Sequence, residues 1–229
     1  MKVAALMPVK GFRNAKQRLT PLLDGAAREL LAETMFRDVL REVRLACGLT
    51  GTYVVTGDDK VASIAAAAGA AVIRESAENG ETSAVDFARR ELQRAGCEAV
   101  LILPGDMPLV RAADIEQILA QVPPGAAAPF ALLVPSHDRL GTNALLLAPP
   151  AVIQLRFGFD SFTFHSAQVT SLGLALRSVE NESIALDIDE PRDLERFLAY
   201  DMRDGDSTRL ARQLLAHAAA QPQRIVVAP

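Results

Sequence analysis

Four basic residues stand close together near the start of the chain. They are Lys10, Arg13, Lys16 and Arg18, in the run Pro8-Val9-Lys10-Gly11-Phe12-Arg13-Asn14-Ala15-Lys16-Gln17-Arg18-Leu19. The apolar stretch before them, from Val3 to Val9, has the length of a buried strand. A strand that delivers cationic side chains and free backbone N–H groups into a loop suits a polyphosphate, and the pyrophosphate of a nucleotide is its natural guest. A first strand followed by a solvated basic loop has the same pattern. Neither G-x4-G-K-[ST] nor G-x-G-x-x-G occurs, so this is not a Walker loop or a dinucleotide fingerprint.

Three carboxylates are the second group with chemical potential. Asp106 lies just beyond the apolar run Ala99-Val100-Leu101-Ile102-Leu103, in Pro104-Gly105-Asp106-Met107-Pro108-Leu109. Ligands of open α/β sheets bind at the carboxyl ends of strands. A carboxylate held there in a tight Gly-Asp turn suits Mg²⁺ bridging phosphates, although a turn aspartate or a helix cap has the same signature. Asp187 and Asp189 are two residues apart. An extended backbone would put both on one face, with Leu186 and Ile188 on the other. Carboxylates so close repel unless something positive lies between them. A divalent cation meets that need, and a helix N-terminus also favours acids. Together Asp106, Asp187 and Asp189 could hold one or two Mg²⁺ ions for in-line displacement at phosphorus.

Smaller signals follow. Gly141-Thr142-Asn143 and Gly158-x2-Ser161 offer hydroxyls and open amides that suit a carboxylate or phosphate, as ordinary turns also do. His165 either binds an anion or packs. No Ser/His/Asp order suggests a hydrolase.

These residues need elements to position them. The spacing predicts strands at 52–56, 70–73, 99–103, 131–134, 143–147 and 177–180 besides the N-terminal one. It predicts helices over 26–46, 58–68, 82–95, 111–121, 191–200 and 206–219, and a further helix running through His165. The 58–68 helix is alanine-rich on every side and is expected to be buried against a sheet. Pro123-Pro124-Gly125 breaks the chain. Up to residue 121 strands alternate with helices, the signature of an α/β sheet with right-handed crossovers. No repeat or linker divides the chain, so one domain over 1–220 is expected, with a tail at 221–229.

Composition narrows the function class. The chain has 229 residues, half of them apolar, and a net charge of −4. With no basic excess it does not read as a nucleic-acid binder. Its apolar runs are too short to span a membrane, and no signal peptide is legible at the N-terminus. Cys47 and Cys97 are isolated and suggest neither a zinc site nor a disulfide framework, so a cytoplasmic location is expected.

Five segments, taken in order, resemble one family. They are P-V-K-x5-K-x-R-L at 8–19, G-D-x-P-L at 105–109, G-T-N-A-L-L-L at 141–147, F-G-x2-S-F-x2-H at 157–165 and D-I-D-x-P-x-D-L at 187–194. They look like the guanylyltransferases that activate a small phosphorylated carboxylic acid with GTP, a step in building the side chain of the deazaflavin coenzyme F(420). The resemblance implies a single nucleotidyltransferase-like α/β domain, with a mostly parallel sheet flanked by helices. It implies an Mg²⁺-dependent enzyme that joins GMP from GTP to the phospho-acid and releases diphosphate. The acceptor would be 2-phospho-L-lactate, phosphoenolpyruvate or 3-phospho-D-glycerate, with 3-phospho-D-glycerate favoured.

The resemblance also assigns residues. Lys10, Lys16, Arg18 and Gly105 would bind the nucleotide, with Lys16 and Asp106 catalytic. Asp106, Asp187 and Asp189 would hold Mg²⁺. Thr142, Gly158 and Ser161 would hold the phospho-acid. Neither nucleic acid nor membrane is implied as a partner, and a homodimer is left open. Many relatives carry Gly-Leu-Asn where this chain has Gly80-Glu81-Thr82, a departure that bears on nucleotide choice. A sugar-phosphate or molybdenum-cofactor nucleotidyltransferase, or a non-catalytic nucleotide-binding domain, would share much of this pattern.

Overall fold

The computed structural model describes residues 1–75, 80–122, 129–200 and 205–220. The elements run in order β1 (Val3–Pro8), α1 (Gly25–Leu45), β2 (Gly51–Thr56), α2 (Asp59–Ala67), β3 (Ala71–Arg74), α3 (Glu81–Arg94), β4 (Ala99–Ile102) and α4 (Ala112–Ala120). Then come β5 (Phe130–Pro135), β6 (Thr142–Ala148), α5 (Ser161–Ser171), β7 (Leu176–Ser178), α6 (Glu182–Ala185), α7 (Pro191–Ala199) and α8 (Asp206–Ala220). The strands form one sheet of seven in the order β3-β2-β1-β4-β6-β5-β7. All neighbours are parallel except those of β6, which runs against both β4 and β5.

The central strands have uninterrupted apolar sequences because helices cover both faces. Every residue of β4, β5 and β6 is buried. Two apolar clusters fill the two faces of the sheet. Each fully buried Leu or Val there contributes roughly 1.5–3 kcal/mol relative to exposure.

Strand order reverses at β1. The chain first builds outward through β2 and β3, then returns to place β4 on the other side of β1. Such a switch point leaves a crevice beyond the carboxyl ends of the two strands. The 8–19 loop leaves β1 there, and the Gly105-Asp106 turn leaves β4 beside it.

The β5–β6 hairpin brings the second half of the chain to the same end. Its reversal is tied by Ser136 N–H to the Gly141 carbonyl at 2.9 Å and by Gly141 N–H to Ser136 Oγ at 2.7 Å. Since β6 is antiparallel to β4, its first residues, Thr142 and Asn143, stand at the crevice.

A third cluster holds the last acidic segment in place. Leu186 and Ile188 point into it, packed with Leu31, Met35, Leu194, Phe197 and Ala211 from α1, α7 and α8. The α8 helix is anchored on α1 by Asp38, which accepts from Ser207 N–H at 2.8 Å and Ser207 Oγ–H at 2.7 Å.

The α2 helix packs on the sheet as expected, through Val61, Ile64 and Ala65, while Ala66, Ala67 and Ala68 are exposed. Other details differ from the sequence-based expectation. β7 covers Leu176–Ser178 where a strand at 177–180 was expected. The short helix α6 and a 3-10 turn at Gln17–Leu19 lack a clear periodic signal. The expected break at 123–125 and the tail at 221–229 lie outside the described residues.

Candidate active site

The crevice is organised around Lys16. Its ammonium lies 2.7 Å from Asp106 Oδ2 and 2.8 Å from Asp189 Oδ1. It therefore joins the N-terminal loop, the β4 turn and the segment before α7. Lys16 adopts a left-handed backbone, with φ 53°. A non-glycine residue there costs of order 1 kcal/mol, which the two ion pairs offset. Burial alone would lower the Lys16 pKa. The charges of Asp106 and Asp189 outweigh burial and hold it well above its ordinary value. Burial works to raise the Asp189 pKa, yet Lys16 holds it below the usual carboxylate range.

Backbone bonds fix the acidic segments to each other. Ile188 N–H donates to the Asp106 carbonyl at 3.2 Å. The buried Asp193 accepts from Asp189 N–H at 3.2 Å and from Glu190 N–H at 2.8 Å, which also caps α7. Asp187 accepts from Asn143 Nδ2 at 3.0 Å. That same amide also donates to the carbonyls of Ile184 and Ala185. Burial, and then the charge of Asp106, push the Asp187 carboxyl up to about 6 against the pull of Asn143.

Two chambers meet over this acidic floor. The first, of about 300 Å³, lies between the 8–16 loop, the 104–106 turn and the start of α3. Its walls include Val9, Phe12, Phe36 and Val55, apolar enough to hold a flat base. Glu75 and Glu81 supply acceptors. The second, of about 440 Å³, is lined by the 136–143 hairpin, Phe157–Phe159, Ser161 and the 187–193 segment. Glu81, Pro104, Asp106 and Asp189 line both.

The expected site residues distribute as follows. Lys10, Lys16 and Gly105 line the first chamber, while Arg18, Thr142, Gly158, Ser161 and Asp187 line the second. Asp106 and Asp189 stand where the two meet. Arg18 is exposed, with its guanidinium 3.3 Å from Glu190 Oε1, and so departs from the expected grouping with Lys10 and Lys16. Arg18 lies in the turn at Gln17–Leu19, which carries it away from the first chamber to the edge of the second. Arg13 is exposed and lines neither chamber. Gly105 allows a close approach, since a Cβ there would sit 3.0 Å from the Phe36 ring.

The second chamber has a wall of hydroxyls. Ser161 Oγ accepts from Thr142 N–H at 2.9 Å, and Thr142 Oγ1 is 3.0 Å from His165 Nδ1. Gly158 has φ 101°, which a side chain would strain, and its carbonyl accepts from Ser161 N–H. His165 is fully buried and does not reach the chamber, so of its two expected roles packing is the one observed.

Glu81 and Asn143 carry more weight than their sequence signals suggested. Glu81 stands on the wall shared by the chambers, where burial first, and Asp106 second, push its carboxyl up to about 7. The Gly80-Glu81-Thr82 departure was its signal. Thr82 Oγ1 also accepts from Phe157 N–H at 3.0 Å, so this segment braces the second chamber. Asn143 had only its place in the G-T-N run.

The donor set suits a hard cation such as Mg²⁺, because it consists of carboxylate oxygens alone. Asp106 Oδ1 is buried with no hydrogen-bond partner, so one oxygen is left for such an ion. Among the described residues no three acidic, His or Cys side chains already encircle a cation position; Lys16 fills the space between Asp106 and Asp189. Acids outnumber bases along the second chamber. An anionic ligand there needs added positive charge.

A switch-point crevice with a cationic loop on one side and carboxylates on the other defines a nucleotidyltransferase-like protein. A solved structure from Desulfovibrio desulfuricans G20, assigned as a nucleotide-diphospho-sugar transferase, shares this fold. Its TM-score is 0.76, covering 95% of this chain and 99% of that one at 16% identity. The chain belongs to the family described as "Guanylyl transferase CofC like", whose model matches residues 3–215. It is 38% identical over 199 residues to the phosphoenolpyruvate guanylyltransferase of Rubrobacter xylanophilus, covering 87% of this chain and 95% of that protein. It is 32% identical to the 2-phospho-L-lactate guanylyltransferase of Methanothermobacter thermautotrophicus, covering 87% and 86%. Identity is also 32% to the 3-phospho-D-glycerate guanylyltransferase of Colwellia psychrerythraea, covering 85% and 90%. No helix among the described residues is long and apolar enough to cross a membrane.

Proposed function

We propose that the chain transfers GMP from GTP to the phosphate of a small carboxylic acid, releasing diphosphate, as a step toward coenzyme F(420). The observation that carries this reading is the Lys16 bridge between Asp106 and Asp189 where the two chambers meet. A nucleotide with its base in the apolar first chamber places its phosphates over that bridge. An acid in the second chamber brings its own phosphate to the same place.

The acceptor phosphate oxygen attacks the α-phosphorus of GTP, and the bond to the bridging oxygen of diphosphate breaks. That oxygen is already anionic near neutral pH, so no strong general base is required. His165 is buried and does not line the second chamber, and burial, then Arg156 and Arg89, lower its pKa to about 4, so it is not placed to serve as one. Lys16 and Lys10 attract the nucleotide phosphates and stabilise charge developing on the leaving diphosphate. Thr142, Gly158 and Ser161 position the acid. Asp106, Asp187 and Asp189 would hold Mg²⁺, which when bound neutralises phosphate charge.

The relatives carry three acceptor names, and the highest of the identities above belongs to a phosphoenolpyruvate enzyme. The polar second chamber supports 3-phospho-D-glycerate, whose free hydroxyl the other two acids lack. Ser136 and Asn143 are among the polar side chains that line this chamber. The test incubates purified protein with GTP, Mg²⁺ and each acid, with a sugar phosphate and molybdopterin as controls, and measures diphosphate and product mass. A guanylylated acid is the expected product, formed fastest from 3-phospho-D-glycerate. Product from none of the acids would overturn the reading.

A further inference from the structure

The fully buried His165 has a proton position fixed by its surroundings. The backbone N–H of Arg156 donates to His165 Nε2 at 3.1 Å. A backbone N–H can only donate, so Nε2 carries no proton. A neutral imidazole keeps one proton, which must then sit on Nδ1. Nδ1 lies 3.0 Å from Thr142 Oγ1, so the Thr142 oxygen accepts. An imidazolium would set one N–H against another at Nε2. Burial, and then the charges of Arg156 and Arg89, also lower the His165 pKa.

The consequence falls on the second chamber. With its oxygen accepting from His165, the Thr142 hydroxyl has its own proton left to donate. Ser161 is in the same state, because its oxygen accepts from Thr142 N–H at 2.9 Å. Neither hydroxyl proton has a protein acceptor among the described residues, and both side chains line the second chamber. We propose that His165 is a positioning residue whose Nδ1–H tautomer orients the Thr142 hydroxyl, beside that of Ser161, as a donor toward the anionic oxygens of the acceptor. With the tautomer reversed, Thr142 would donate to the ring and turn its lone pairs on the anion. This inference rests on the second chamber being the acceptor side.

Two measurements test it. In the ligand-free protein, ¹⁵N NMR of the labelled imidazole should show a protonated Nδ1 and a bare Nε2 between pH 6 and 9. A protonated Nε2 would overturn the proposal whether or not the enzyme turns over. The second measurement compares His165→Gln, whose amide can serve Arg156 N–H but not Thr142, with His165→Asn, whose amide can still donate to Thr142. His165→Gln should raise the acceptor KM about tenfold, with kcat and the GTP KM within about twofold. His165→Asn should stay within about threefold of the wild type. Equal acceptor KM values for the two variants would overturn the proposal, as would a joint loss of kcat and of both affinities. Should both variants fail to fold, the NMR result decides. Absence of turnover in the wild type would count against the guanylyl-transfer reading and leave the tautomer test standing.

Discussion

Replacing Lys16 by Met keeps the length of the side chain and removes the ammonium that sits 2.7 Å from Asp106 and 2.8 Å from Asp189. Two carboxylates then face each other across an uncharged stem. Breaking a fully buried pair costs about 3–5 kcal/mol. Here the Asp106 and Asp189 side chains are 31% and 46% exposed, so solvent screens much of that penalty. A loss of about 1–2 kcal/mol is expected, a fall in Tm of about 2–8 °C.

The pH dependence has a fixed sign. Lys16 holds the Asp189 pKa down, so its stabilisation is present above the unfolded carboxylate pKa and is lost as pH falls through the folded one. The Lys16 pKa is itself raised, so its share persists below its ordinary value of 10.5 and fades only at higher pH. The gap in Tm between wild type and Lys16→Met should therefore be widest from about pH 5 to pH 10 and close on acidification. Turnover, followed as diphosphate release, should drop about 10²–10³-fold, as when a donor that stabilises developing charge is removed. Turnover within about tenfold of wild type, or a Tm gap that widens toward acid, would refute the reasoning.

Asp106→Asn should abolish diphosphate release while leaving the circular dichroism spectrum and cooperative melting intact; near-normal turnover would remove Asp106 from the reacting centre. Glu81, half-buried and pushed up to about 7, binds its proton more tightly folded than unfolded. Its contribution therefore falls as pH rises from about 4.5 to 7, by at most about 3 kcal/mol. Urea melts at pH 5 and pH 8 should show this loss in wild type and a smaller one in Glu81→Gln; equal losses would contradict it. Gly105→Ala places a Cβ 3.0 Å from the Phe36 ring, so stability should fall by about 1–2 kcal/mol and the GTP KM should rise. Unchanged values would show that the turn relaxes freely.

Much of this was legible in the chain because local patterns imposed it. The apolar run 99–103 stops three residues before Asp106, and a strand end in an α/β sheet is where ligands bind. The alternation in Leu186-Asp187-Ile188-Asp189 separates a packed face from a polar one, and Leu186 and Ile188 are buried as it requires. The rest depends on contacts distant in sequence. The antiparallel insertion of β6 between β4 and β5 depends on a hairpin and on sheet partners that no window contains. The left-handed turn at Lys16 is held by carboxylates 90 and 173 residues away. That turn and the one after it send Arg18 to the rim. Helical spacing brings His165 inward, but its proton position depends on the Arg156 backbone. The weight of Glu81 emerges only once α3 starts beside Asp106.

The central claim is that the acceptor phosphate, seated beside Lys16 and the three aspartates, attacks the α-phosphorus of GTP. An acceptor labelled with ¹⁸O in its phosphate group tests it directly by mass spectrometry of both products. The label should remain wholly in the guanylylated acid, and the diphosphate should be unlabelled. Label in the diphosphate, or GMP carrying oxygen from water in place of a guanylylated acid, would contradict the claim.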